Sequence, residues 1–406
     1  MGILDRFVGS PQDRFAREVI AELRRVGVPE ATYDPEEFSI RIRTAPDDDE
    51  TGEIYLHNVF QESAGSSKAG RRERITRLVS ALVRGPEPPQ TWAEVRTRLR
   101  PVLRSAHYGL TGSYEVDVAH AMVSRPALPY LYEYVVIDMA TSMAYVTVEQ
   151  VGGWEVPVDE VFAAARANLA EMSVAPDEEP GDGPALLRFV DSGDGYFTSR
   201  LLLDGWLAGL SGRVGGQPVA FAPDRDTLIV AADDPVLLPK LFELVEQDFL
   251  ESPRAISPQA YTSGADGVVL PYPAPDGHPL AGAVRRADAH LARGEYAAQT
   301  EWLKRQYERD GTDVFVASHL VFGRPDGSLF SVTSWAEDVD TLLPEADYVV
   351  FSFRDEDREP FYVAWSSVVA EVDLEPVAGL RLPRYRVTGW PQASTMERLH
   401  ARATSP

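Results

Sequence analysis

Few residues in this chain have the types and spacing that chemistry demands. The strongest acidic constellation is Asp224-Arg225-Asp226, directly after Pro223. Two carboxylates can divide acid and base roles when burial drives their pKa values apart, and a hydrolase could be built on such a pair. A hairpin tip is usually wet, however, and an arginine between two carboxylates also makes an ordinary exposed ion-pair cluster. The seven histidines are His57, His107, His120, His278, His290, His319 and His400. No two stand three or four residues apart, so zincin-type spacing is absent and no metal is expected. A nucleophile elbow needs Gly-x-Ser-x-Gly; Gly209-Leu-Ser-Gly212 lacks that spacing and reads as a glycine-rich helix end. Neither a dinucleotide fingerprint nor a Walker A loop occurs, and no cofactor is expected. The turn Asp191-Ser-Gly-Asp-Gly195 leads into an expected helix and could offer N–H groups to an anion. Its two aspartates argue against phosphate and for capping.

Two further groups of residues invite a binding role. Arg71, Arg72, Arg74, Arg77 and Arg84 crowd one helical stretch, with Arg96, Arg98, Arg100 and Arg104 soon after. They could face an anion or RNA, and Arg71 and Arg74 are the candidates. Only Trp92 and His107 lie near to supply stacking, so a solvated helix face balanced by Asp47 to Glu50 competes with that reading. Trp302, Trp335, Trp365 and Trp390 gather toward the C-terminus with Tyr348, Phe351, Phe353, Phe361 and Tyr362. Core packing is the default for such rings. They would equally suit a partner-binding face presenting Trp335 and Trp365.

The elements that must position these residues belong to a folded chain of 406 residues, 44% hydrophobic and 25% charged. That length suggests more than one domain. There are no cysteines, which excludes disulfides, thiolate nucleophiles and sulfur-built metal sites. Residues 1–106 hold 17 basic and 17 acidic residues; the rest hold 22 and 46 and carry the whole net charge of −24. Such an acidic surface disfavours a nucleic-acid partner and suits a protein partner with a basic surface. Only Lys68, Lys240 and Lys304 among the basic residues are lysine, a bias that fits a high-GC genome. No apolar run is long enough to span a membrane, and Met1 to Arg6 do not open a signal peptide, so a cytoplasmic protein is expected.

Ser10, Pro11 and Asp13 signal the start of a helix that Gly27 stops. A hairpin is expected over 38–43 and 53–60, then a helix over about 69–84. Thr91-Trp-Ala-Glu94 reads as a capping box for a short helix to about Arg100. Strands are expected over 129–139 and 144–149, with Gly152-Gly153 ending the second, then a helix over 158–172. Residues 173–184 read as a linker. A strand over 186–190, a helix over 196–210, a hairpin over 218–231 and a helix over 234–251 would repeat the opening α-β-β-α arrangement. A long helix over about 279–309, with Gly294 as its candidate break, leads to hairpins over 314–335 and 348–365 and a polar tail. The expected class is therefore α+β: repeated α-β-β-α units with antiparallel sheets covered by helices. The expected divisions are an α-β-β-α domain at 1–106, a hairpin-plus-helix segment at 107–175, a second α-β-β-α domain at 184–260 and a C-terminal domain at 270–400.

Several stretches carry a resemblance. They are Arg100-Pro-Val-Leu-Arg104, Asp138-Met-Ala-Thr-Ser-Met143 with Tyr145-Val-Thr147, Asn168-Leu169, Asp194-Gly195-Tyr196, Ser199-Arg200-Leu-Leu202, and Val219-Ala-Phe-Ala-Pro-Asp-Arg-Asp226-Thr-Leu-Ile229. In this order, over about residues 11–260, they resemble the YtpQ-like family of bacterial proteins. That family carries no established activity, so the resemblance implies a bacterial, cytoplasmic α+β protein and names no chemistry. It adds Ser199 and Arg200 to Asp224, Arg225 and Asp226 as candidate binding positions. The leading expectation is a non-catalytic, acidic protein-binding or adaptor module. Its rivals are a hydrolase with a carboxylate site around residues 191–226, and anion or RNA binding through the Arg-rich region 71–104.

Overall fold

A computed structural model describes residues 10–35, 38–43, 52–63, 66–84, 89–109, 121–139, 143–173, 186–190, 196–355 and 357–406. They fall into two compact units: residues 1–99 with 136–145, and residues 100–135 with 146–406.

The first unit opens with helix α1 (Pro11–Arg25). Its cap is reciprocal: the Asp13 N–H donates to Ser10 Oγ at 3.0 Å, and the Ser10 N–H donates to Asp13 Oδ2 at 2.7 Å. Phe15, Ala16, Val19 and Leu23 share its buried face. Strands β1 (Glu30–Asp34), β2 (Ser39–Arg43) and β3 (Gly52–Tyr55) form an antiparallel meander. Helices α2 (His57–Glu62) and α3 (Lys68–Arg84) follow. The expected strand over 53–60 therefore ends at Tyr55. Leu56, Val59 and Phe60 stand at helical spacing, and they join Phe15, Phe38 and Ile40 in one core. Strand β1 was not anticipated, because Glu-Ala-Thr-Tyr-Asp is short, polar and half exposed. The observed order is α-β-β-β-α-α.

Helix α4 (Trp92–Val95) runs through a 3-10 turn into strand β4 (Leu99–Ser105), so the helix expected to reach Arg100 is cut short. Thr91 is its N-cap, but the hydroxyl donates to Glu94 Oε2 at 2.7 Å and caps no backbone N–H. Strands β5 (Ser124–Leu128) and β6 (Leu131–Asp138) make a hairpin, and Val136–Asp138 pair with β7 (Met143–Tyr145). Gly152 and Gly153 do not end a strand; they lie inside helix α5 (Val148–Trp154), started by a Thr147–Gln150 capping box. Helix α6 (Val158–Met172) matches expectation.

The centre of the second unit is a five-stranded antiparallel sheet. Its strands are β8 (Leu187–Val190), β9 (Pro218–Asp224), β10 (Thr227–Ala232), β11 (Ala255–Ser263) and β12 (Val269–Pro271), in the order β12-β11-β9-β10-β8. Alternation splits β9 and β10 between two cores. Ala220, Ala222, Leu228 and Val230 pack with Leu103, Leu131, Leu201, Leu207 and Leu210. Val219, Phe221, Ile229 and Ala231 pack with Leu238, Leu241, Phe242 and Val245. The helix expected over 196–210 is two short 3-10 turns followed by helix α7 (Ser211–Val214). Gly205 interrupts it with a positive φ of 75°, and its N–H donates to Gly267 O at 2.9 Å. The four buried helix residues belong to α8 (Leu237–Glu251). With a 3-10 segment in place of a helix and a sheet of five strands, residues 196–251 do not repeat the first unit. The α+β class holds; the α-β-β-α repeat does not.

Helix α9 (Ala281–Asp310) is 30 residues long and continuous through Gly294. Beyond it lie β13 (Phe315–Val316), β14 (Leu320–Gly323), β15 (Leu329–Ala336), β16 (Thr341–Pro344), β17 (Tyr348–Ser352) and β18 (Phe361–Ala364). Helix α10 (Trp365–Glu371), strand β19 (Arg384–Val387) and helix α11 (Ala393–Ala401) occupy the stretch expected as an irregular tail. The expected hairpins are present as β14–β15 and β17–β18, but β15 and β17 run parallel and merge them into one mixed sheet. A second small sheet has the order β13-β16-β19. No helix among the described residues is long and apolar enough to cross a membrane.

Candidate functional site

The residues singled out in the sequence do not come together. Arg71 and Arg74 lie on α3 of the first unit, where Arg71 is 3.8 Å from Glu18 and Arg74 donates to Ser66 Oγ. In the second unit, Ser199 and Arg200 occupy the 3-10 turn 198–202. Ser199 is buried, and its hydroxyl has no hydrogen-bond partner among the described residues. The Arg200 guanidinium lies 4.3 Å over the Phe197 ring, and its Nε donates to Ser173 Oγ at 3.1 Å. Asp224, Arg225 and Asp226 form the β9–β10 turn. The Asp226 N–H donates to Asp224 Oδ1 at 2.8 Å, and Arg254 meets Asp226 at 3.2 Å. Arg225 lies 4.7 Å over the Tyr108 ring. Trp335 is 3% exposed, and its indole N–H donates to Gly389 O at 2.9 Å. Trp365 starts α10 with its ring 5.3 Å from Tyr385. The Asp191–Gly195 turn, the Asp47–Glu50 loop, His120 and most of the 173–184 linker lie outside the described residues.

A cleft of about 750 Å³ within the second unit gathers a different set. One wall is α9, where Asp288, Ala292 and Tyr296 recur at helical spacing. Tyr130 and Tyr132 of the β5–β6 hairpin form another wall, joined by Arg381. The remaining wall brings His319, Ser331 and the turn Glu345–Asp347. That turn is locked: the Ser331 N–H and O–H both donate to Asp347 Oδ2, at 2.6 and 2.9 Å, and the Asp347 N–H donates to Ser331 Oγ at 2.8 Å. Such a volume is typical of small-ligand sites.

Charge in the cleft is unbalanced. Asp288 receives one hydrogen bond, from Gln259 Nε2 at 2.8 Å. Burial first, then the negative charge of Asp347, raises its pKa to about 6. Asp288, Glu345 and Asp347 have no ion-pair partner among the described residues. The cleft's two arginines are engaged elsewhere. Arg285 pairs with Asp276 at 3.0 Å. Arg381 donates to Ala106 O, to Tyr134 Oη and, at 3.2 Å, to Ser124 Oγ, while stacking 4.9 Å over Tyr132.

His319 is 8% exposed and stacks on Tyr296 with ring centres 4.8 Å apart. Its Nδ1 is buried without a hydrogen-bond partner among the described residues. Burial lowers its pKa to about 4 although Asp347 opposes the shift, so the ring is neutral at pH 7. Behind it sits Arg384, 0% exposed. Its guanidinium donates to Gln299 Oε1 at 2.7 Å, Ala317 O at 2.8 Å and Thr300 Oγ1 at 2.6 Å, all neutral acceptors. Burial lowers its pKa to about 10. These bonds tie α9 to β19 and fix the cleft floor.

Serine, histidine and aspartate are thus all present at one site, but not in catalytic order. Ser331 donates to Asp347 rather than to His319, and a serine nucleophile needs its hydrogen bond to the imidazole. Among the described residues no cluster of three or more histidine or acidic side chains could hold a metal ion. What the arrangement can do is receive a cation. Sequence reasoning missed these residues because 288, 319, 345 and 381 share no local motif. One signal was available: Asp288, Glu295 and Gln299 interrupt the inward stripe of α9 at helical spacing, a place where apolar side chains are the rule. No family model, curated protein or solved structure matches the chain.

Proposed function

We propose that the chain is a non-catalytic binding protein whose cleft takes a basic segment of a protein partner. The observation that carries this reading is the set of three carboxylates, Asp288, Glu345 and Asp347, which share one cavity without a paired cation among the described residues. Asp288 is the one of the three that is withdrawn from water; desolvating a carboxylate without a counter-charge is costly, and an incoming cation offsets that cost. The charge of the whole chain points the same way, since residues 107–406 hold 46 acidic and 22 basic residues and would steer a basic partner inward. The test is fluorescence anisotropy with short labelled peptides of basic, neutral and acidic composition, at low and high salt. The basic peptide should bind, with affinity falling as salt rises. Equal binding of the acidic peptide would overturn the reading.

A further inference from the structure

Building on that reading, we infer that the cleft selects a guanidinium group over an ammonium group, with His319 as the residue that makes the distinction. Three observations converge. Asp288 offers a half-buried carboxylate in the cleft that receives one hydrogen bond among the described residues, from Gln259. His319, 8% exposed and lining the same cavity, carries a buried nitrogen with no partner among the described residues. Three tyrosines, Tyr130, Tyr132 and Tyr296, line the walls, and two of them already carry a guanidinium over the ring, Arg381 over Tyr132 at 4.9 Å and Arg384 over Tyr296 at 5.5 Å.

A guanidinium meets all three demands at once. Its planar fork gives two parallel N–H groups to a carboxylate and keeps further donors for a second acceptor. Its faces stack on aromatic rings, and its weak hydration lowers the cost of entry. The imidazole serves as that second acceptor because burial holds it neutral, leaving one ring nitrogen with a free lone pair. An ammonium is a strongly hydrated point charge; it can satisfy the carboxylates, but it loses more water and cannot stack. It also donates from a single nitrogen, whereas the wider planar fork reaches a carboxylate and a separate acceptor together, so the imidazole acceptor favours arginine.

The decisive experiment compares peptides identical except for one arginine or lysine, by calorimetry on the intact chain, beside agmatine as a free guanidinium. The arginine peptide should bind at least about tenfold tighter than the lysine peptide. His319→Phe, which keeps a ring against Tyr296 but removes both nitrogens, should erase most of that ratio by weakening the arginine peptide more than the lysine peptide. Equal wild-type affinity for the two peptides would overturn this inference while leaving the basic-segment reading intact. Binding of neither would overturn both. Agmatine binding as tightly as the arginine peptide would support guanidinium selection and identify a small molecule, not a partner segment, as its source.

Discussion

The β9–β10 turn and the α9 cleft are both acidic groups beside arginines, yet their physics differs. At the turn, Asp224 caps the Asp226 N–H, and Arg254 pairs with an Asp226 side chain that is 41% exposed. Both carboxylates there are locally engaged. In the cleft, Asp288 is withdrawn from water, its neighbour Asp347 repels it, and the available arginines point elsewhere. Residue type is nearly the same in the two places. Burial and the missing counter-charge separate a turn from a candidate site.

The contrast can be broken most forcefully at the cleft floor. Arg384→Met removes a buried guanidinium and strands its acceptors, so it should cost about 3–5 kcal/mol of stability in a denaturant titration. Arg254→Met at the turn should cost less than about 1 kcal/mol. Asp288→Asn comes next. It should weaken basic-peptide binding by roughly 10- to 100-fold, equivalent to about 1.4–2.8 kcal/mol, whereas Asp226→Asn should change binding less than about twofold.

The same Asp288→Asn change should raise stability. A carboxyl whose folded pKa exceeds its ordinary value stabilises the fold only while protonated, and that contribution is lost as pH rises from about 4 to about 6. At pH 7 the neutral amide relieves the burden, by about 1–2 kcal/mol. A thermal melt at pH 7 that shows Asp288→Asn to be less stable than wild type would contradict this account. Binding should carry the opposite dependence. Below about pH 6 the ligand must displace a proton from Asp288, so affinity for a basic peptide should fall by up to about tenfold per pH unit. The other groups around the cleft include the guanidinium groups of Arg285 and Arg381; the Arg384 pKa, about 10, lies well above this range, and His319 stays neutral until about pH 4. Glu345 and Asp347 stand at the exposed rim. The smallest effect belongs to Asp226→Asn on stability, within about 0.5 kcal/mol.

Local signals were legible where local forces decide. The Ser10 cap, α6, the β9–β10 hairpin and the extent of α9 follow from capping, periodicity and turn residues close in sequence. Element order failed where tertiary packing chose between options. Leu56 to Phe60 could extend a strand or start a helix, and the core with Phe15 selected the helix. Residues 196–210 are apolar enough for a helix, but the Gly205–Gly267 approach required an irregular turn. The cleft was illegible for a related reason. Its histidine looked solitary in sequence and became significant only through Tyr296, 23 positions earlier on another element.

The β9–β10 hairpin has one more consequence. Because both faces of its strands are buried, Val219 to Ala222 and Leu228 to Ala232 lack the polar alternation that keeps an edge soluble during synthesis. On a nascent chain these segments are sticky β-prone runs until their two cores close around them. Asp224, Arg225 and Asp226 between them, and Asp233 and Asp234 just after, are then gatekeepers: charges that hold two hazardous strands apart from other chains until they find each other.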